Sequence, residues 1–497
     1  MIQEILNNIE ITRYFVYDSS RPLLFNSKVF FVWFLIIYLI YNFIKDKKRI
    51  RVILLLSFSL FFYYLCSGLF FTLLIISTLI NYALGYAIYQ APSNIWKKVG
   101  LWEAVIFNLG LLGYYKYTNF LIRSINDIQT TFQFGTFHIE ETSIFLPVGI
   151  SFFTFQAMSY TIDIYRGKIK PERNILNFGF FISFFPQLVA GPIVRAKEFI
   201  PQIHKKLSLT KEELSRALFL IMGGLFKKVV ISDFISVNFV DRVFNNPALY
   251  GSFEAWTAFY GYALQIYCDF SGYSDMAIGL ALLFGFKLPT NFDLPYQSKS
   301  ITEFWRRWHM SLSAWLKDYL YISLGGNRKG KIFTYRNLML TMLLGGLWHG
   351  ASWKFIMWGG MHGVLLSIER MAKPLIEKIP QKVRYLPGWL ITFHFVCFAW
   401  IFFRADSFGT AVTFMQQMFQ AIDPAVVMRI LNGYTEVFIL IGAGFLLHFL
   451  PKVVNESALN IFTKAPVPVK ALSLSLVIWL VIQASSSQVI PFIYYQF

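Results

Sequence analysis

Charge is scarce in this sequence. Asp, Glu, Lys and Arg make up 14% of its 497 residues, against about 25% in a soluble domain. With 56% hydrophobic residues, the chain is not an ordinary soluble globule. Cysteine is scarcer still. Cys66, Cys268 and Cys397 lie far apart in apolar runs and show no zinc or redox spacing.

Familiar catalytic signatures are also missing. There is no Walker A loop, no GxGxxG and no GxSxG. No HExxH or Cys/His cluster occurs, so no metal site is expected. No His is followed by Asp four or five residues on, a pattern many soluble and glycerolipid acyltransferases use. Internal repeats, low-complexity tracts and an appended soluble domain are absent.

One sign of charge does dominate, at a net +18. No basic face or base-stacking module accompanies it, so nucleic acid is not an expected partner. The Lys and Arg sit in short clusters between apolar runs, as in cytoplasmic loops of membrane proteins. An anionic membrane surface and an anionic substrate both suit them.

What is abundant is apolar sequence in windows of spanning length, roughly 20 residues each. Val29–Ile44 is followed by "KDKKRIR". A cleavable signal carries its charge before the apolar run, so this is a retained span whose C-terminal end is cytoplasmic. Arg51–Phe62 and Leu69–Tyr89 read as a helical hairpin, and "APSNIWKK" (91–98) returns to the basic side. Leu101–Leu121 crosses outward. Residues 124–143 contain no Lys or Arg and suit an outer loop. Phe145–Tyr165 returns to the basic "RGKIKPER" (166–173). The N-terminus is thus expected outside, with residues 1–26 extracytoplasmic and 27–497 forming a single membrane domain.

Further on, "FFISFFPQLVAGPIVRAKEF" (180–199) is broken by Pro186, Gly191 and Pro192, as a re-entrant segment buried in protein would be. Residues 301–326 mix Trp and Leu with Arg, Lys and Asp and read as an amphipathic interfacial helix. Later spans are expected near 334–348, 352–368, 388–403, 434–450 and 470–490, with 369–384 a charged loop. The expected class is all-α and polytopic, with about eleven transmembrane helices plus re-entrant and interfacial ones.

Ionisable groups at membrane depth are functional candidates. His349 sits in "GGLWHG", where glycines permit close approach by a ligand. A neutral imidazole there can take a proton from a hydroxyl, or can simply be a buried group bonded to a carbonyl. His362 follows in "GGMHG". On one straight helix the two imidazoles would stand about 140° apart and about 20 Å along the axis. They would not share a metal, unless Gly359–Gly360 kinks the helix. In "EFWRRWHMSLSAWLKDYL" (303–320), Arg306 and Arg307 offer forked donors for phosphate. Trp305 and Trp308 can stack on a purine or anchor at the interface, and His309 is a second candidate base or positioning group. Asp269 and Asp275 lie in an apolar stretch among hydroxyls, either lining a path or tying helices together.

These residues also carry a resemblance. "FWRRWHMSLSAWLKDYLYISLGGNRKG" and "RNLMLTMLLGGLWHGASWKFIMWGGMHG" resemble the membrane-bound O-acyltransferase family. So do "LFNSKVFFVWF", "STLINYALGY", "GYYKYTNF", "PVGISFFTFQAMSYTIDIYRG" and "FFPQLVAGPIVRAKEFIPQ". The branch they resemble is the bacterial one that holds the alginate O-acetylation membrane protein. The similarity runs from about Leu24 to the end.

The resemblance implies helices around a central funnel in the cytoplasmic (inner) membrane of a bacterium. It implies His349 as the catalytic histidine at the narrow part of the funnel, His309 as the second catalytic histidine, and His362 in a supporting role. Acetyl-CoA would be the acyl donor, with no permanently bound cofactor. Its nucleotide phosphates would meet Arg306 and Arg307 beside Trp305. A separate extracytoplasmic esterase-like acetyltransferase would finish transfer to a polysaccharide, since the chain has no GDS-type nucleophile motif. The polymer is open among alginate, acetylated cellulose, peptidoglycan and capsule. Rival readings are D-alanyl transfer from a carrier protein to teichoic acid, a non-catalytic anion transporter, and a scaffold for an export complex.

Overall fold

The computed structural model describes residues 12–19, 21–133, 137–484 and 490–493. Every regular element among them is helical, as expected. The chain divides into two compact units, Met1–Leu209 with Leu280–Leu288, and Thr210–Gly279 with Pro289–Phe497.

Among the described residues, three helical stretches are long and apolar enough to cross a membrane: Lys48–Gln90, Gln381–Arg404 and Val467–Ala484. Pro424–Gly433 and Thr435–Phe449, bent by 84°, make a fourth if taken as one broken span. The expected eleven spans therefore do not appear as eleven whole apolar helices. Several windows instead break into shorter helices or bury themselves in protein.

In the first unit the early helices are α1 (Lys28–Ile44), α2 (Lys48–Ser67) and α3 (Phe71–Gln90). A 3₁₀ turn at Gly68–Phe70 separates α2 from α3. Next come α4 (Asn94–Leu112) and α5 (Thr118–Phe132). Residues 124–132 are thus helical, not part of a loop. Their polar side chains hold the returning chain instead. Asn126 exchanges two hydrogen bonds with the Ile139 backbone, at 2.8 and 3.1 Å, and Asn119 pairs in the same way with Thr142.

Helix α6 (Ile150–Tyr165) buries every residue from Ile150 to Ile164, so this window is core. The 180–199 stretch is broken and buried as expected, into Ile175–Ser183, Phe185–Leu188 and Ala196–Ile203. Its freed backbone groups find side-chain partners. The Phe181 carbonyl accepts from Gln156 at 2.6 Å and Gln187 at 2.5 Å, and Ser59 accepts from the Phe185 amide at 3.1 Å.

In the second unit, the long helix α7 (Ser252–Leu283) begins and runs to the unit's edge. The interfacial helix expected over 301–326 is three pieces: α8 (Ile301–Arg307), α9 (Met310–Trp315) and a π-helical turn at Leu316–Tyr321. The break falls at His309, whose φ of +42° is left-handed, a region a non-glycine residue rarely adopts.

Then come α10 (Lys331–His349), α11 (Trp353–Ile376) and α12 (Gln381–Arg404). The chain reverses at Gly350–Ser352, where the Ser352 hydroxyl caps α11. Helices α10 and α11 pack backbone to backbone. A Cβ on Gly346 would stand 2.2 Å from the Phe355 carbonyl oxygen, and one on Gly359 would stand 2.2 Å from that of Met342. Gly359 is therefore a contact point, not a kink. The charged 369–384 stretch is mostly the ends of α11 and α12.

Candidate active site

Reversal of the chain between α10 and α11 decides the site. His349 is the last residue of α10, and His362 lies in the third turn of α11. The straight-helix separation expected for them does not apply, because two glycines bring the helices together. One indole, Trp358, packs edge-on against both imidazoles, with ring centroids 5.0 Å from His349 and 4.8 Å from His362.

A second tryptophan extends the series. Trp348 stands 5.1 Å from His349 and 6.2 Å from His309. The order in space is His309, Trp348, His349, Trp358, His362. Aromatic pairs at these separations favour edge-to-face contact. All three histidines are buried, at 0%, 2% and 0% exposure for His309, His349 and His362. Phe403 closes one side of the series, 5.7 Å from His349 and 5.3 Å from Trp358. Trp400 stacks on Trp358 at 5.6 Å.

His309 is held by a residue the sequence did not single out. Its Nδ1 lies 3.1 Å from Asn291 Oδ1. That oxygen also accepts from the Ser311 amide at 3.2 Å and hydroxyl at 2.9 Å. An amide nitrogen donates only, so the oxygen assignment is firm and His309 must donate from Nδ1. Its Nε2 is then the basic nitrogen. The Asn291 carbonyl accepts from the Met310 amide at 2.9 Å, and the Asn291 Nδ2 donates to Ser274 at 3.3 Å. Asn291 lies in "PTNFDLPY", which carries no signal beyond that of a loop.

The proposed nucleotide-contacting residues separate. Arg307 is engaged locally, by Glu303 at 2.8 Å and the Asp293 carbonyl at 3.2 Å. Arg306 is exposed. Trp305 is half-buried and packs on Trp358 and His362.

The two aspartates tie helices, and their partners are lysines on the π-helical turn Phe226–Asp233. Lys228 bonds Asp269 at 2.5 Å and Asp233 at 2.7 Å. Lys227 bonds Asp275 at 2.5 Å. Asp269 also accepts from the Ile493 amide at 3.0 Å. No group of three or more His, Cys, Asp or Glu among the described residues is arranged to hold a metal.

A buried histidine series beside aromatic walls suits proton transfer at an acyl centre. Residues 172–411 match the membrane-bound O-acyltransferase family. The chain is 43% identical to a probable alginate O-acetylase of Pseudomonas putida, over 80% of each protein. It is 38% identical to a peptidoglycan O-acetyltransferase of Helicobacter pylori, over 82% of this chain and 81% of that one. A teichoic acid D-alanyltransferase of Bacillus subtilis is 32% identical over 52% of this chain and 69% of its own length. The chain belongs to the membrane-bound O-acyltransferase family and is a membrane enzyme of acyl transfer.

Proposed function

We propose that this enzyme passes an acetyl group from cytoplasmic acetyl-CoA to an extracytoplasmic acceptor, for O-acetylation of a polysaccharide. The observation that carries the reading is the interleaved series of three buried histidines and two tryptophans. His349 takes the proton of the acceptor hydroxyl as that oxygen attacks the thioester. His309, locked in one tautomer by Asn291, orients the donor from the neighbouring position. Arg306 meets the nucleotide phosphates.

The two O-acetylating relatives support acetyl as the group moved. They act on different polymers by name, so the acceptor is a cell-surface polysaccharide, alginate or peptidoglycan, reached through a separate extracytoplasmic transferase. The N-terminus lies outside. D-alanyl transfer is the second reading, favoured only by the shorter match to the teichoic acid enzymes.

The purified full-length protein, given acetyl-CoA or a D-alanyl carrier-protein thioester, tests the choice. Release of CoA with no turnover of the carrier thioester is the expected result. Turnover of the carrier thioester alone would replace this reading with the second.

A further inference from the structure

The His362 end of the series is chemically incomplete. His362 is fully buried, yet neither ring nitrogen has a hydrogen-bond partner among the described residues. The indole N–H groups of Trp305 and Trp358 also lack partners there and are shielded from solvent. These three rings pack edge to face against one another. Trp305 lies 5.1 Å from His362 and 5.8 Å from Trp358, and Trp358 lies 4.8 Å from His362, between centroids. Phe304 and Phe395 complete the walls, at 6.1 and 5.3 Å from His362.

Burying a polar group without a partner forfeits its hydrogen bonds to water. Most buried polar groups are satisfied, as the lysine–aspartate cluster of the same unit is. Three contacting rings with this surplus offer hydrogen bonds that a ligand can take up. Their polarity says which kind of ligand. An indole N–H only donates, and a neutral imidazole donates once and accepts once. The cage therefore offers three donors against one acceptor, and it fits a ligand oxygen that accepts. Trp358 is also the wall of His349, so that oxygen sits one ring from the base.

We infer that Trp358, His362 and Trp305 receive the carbonyl oxygen of the acyl thioester and stabilise the negative charge that forms on it. This rests on the acyl-transfer reading given above. The acceptor oxygen bonds to the thioester carbon while its proton passes to His349. The C=O π pair moves onto oxygen, where the N–H donors hold it. The pair then returns, the C–S bond breaks, and the departing thiolate takes the proton from His349. Donors aimed at charge that develops in the transition state raise kcat and leave ground-state binding nearly unchanged.

The test uses Trp358→Phe and His362→Phe in the full-length protein, with Trp305→Phe as a milder variant at the half-buried wall. Trp358→Phe is expected to lower kcat for acetyl-CoA consumption by about 10²–10³-fold with KM held. A KM rise at unchanged kcat would overturn the inference, because it reports uniform binding of another part of the donor.

A second readout does not need turnover. A ketone analogue of acetyl-CoA, with CH₂ inserted between sulfur and a ¹³C-labelled carbonyl, is bound and its C=O stretch recorded. The expected band lies below its position in water for wild type and moves up in Trp358→Phe and His362→Phe. A band that ignores all three substitutions would overturn the inference and leave the cage holding only water. If wild type consumes no thioester, the acyl-transfer reading itself falls. If wild type turns over and the variants match it, only the cage assignment falls.

Discussion

Two polar clusters are buried in the second unit, and they are built on opposite rules. Around Lys227 and Lys228, every charge meets its opposite, with Asp233, Asp269 and Asp275 at 2.5–2.7 Å. Around His349, the neighbours are tryptophan and phenylalanine rings. A satisfied cluster is expensive to break and has nothing left to offer a ligand. At the far end of the aromatic-walled cluster, both ring nitrogens of His362 and the Trp358 indole N–H lack hydrogen-bond partners among the described residues. The difference separates a structural use of buried polarity from a chemical one.

Breaking the paired cluster should give the largest loss of stability. Lys228→Met leaves Asp233 and Asp269 buried without a counter-ion, and a loss of about 3–5 kcal/mol is expected. Thermal unfolding in detergent measures it. Replacing Lys228, Asp233 and Asp269 together with apolar residues should restore most of that stability, as a paired charge is worth little net. Failure of the triple variant to recover would show that the cluster does more than tie helices.

At the histidine end, Gly346→Ala forces a methyl against the Phe355 carbonyl. It should separate α10 from α11 and remove acyl transfer together with part of the stability, because overpacking of this kind costs about 1–3 kcal/mol. A variant with wild-type turnover would mean that the close helix contact does not place His349.

Asn291→Ala acts between the two clusters' rules, on a histidine that does have a partner. It removes the acceptor for His309, for the Ser311 amide and for the Ser311 hydroxyl. Stability is expected to fall by about 1–3 kcal/mol through the orphaned donors. Turnover should fall further than Asn291→Asp, which keeps the accepting oxygen. Equal activity in the two would detach the His309 tautomer from the reaction.

The smallest effect belongs to the first unit. Glu172 accepts from the Asn174 amide, Asn177 and His204, and His204 in turn accepts from Lys48 at 2.7 Å. Burial alone would raise the Glu172 carboxyl, but these donors outweigh it and hold it below its ordinary value. A carboxyl depressed by folding stabilises the protein above its unfolded pKa and loses that contribution as pH falls through the folded one. Glu172→Gln should therefore cost under about 1 kcal/mol near neutral pH, given the exposure of His204, and nothing in strong acid. A cost that persists in acid would assign the effect to packing.

Much of the site was legible as residues and little of it as geometry. His349, His309 and His362 stand out because imidazoles in apolar sequence need a reason, and Gly346 signals a close approach. Their assembly was not legible. A helical reading from Gly345 to Gly363 places the two histidines on opposite faces, and only the reversal at Gly350–Ser352 brings both to Trp358. Asn291 gives no local signal, since its role depends on a backbone break at His309 that helix periodicity does not announce. Span counting suffered for a related reason. Apolar windows such as α6 are equally compatible with lipid and with a protein core, and the second environment holds here.

The proposed role of the buried histidine series is acyl transfer. Release of CoA from acetyl-CoA by the purified full-length protein, compared between wild type and His349→Ala, tests it most directly. Turnover is expected in wild type, with a loss of about 10²–10⁴-fold in the variant and the same unfolding temperature. A folded His349→Ala protein that releases CoA at the wild-type rate would contradict it.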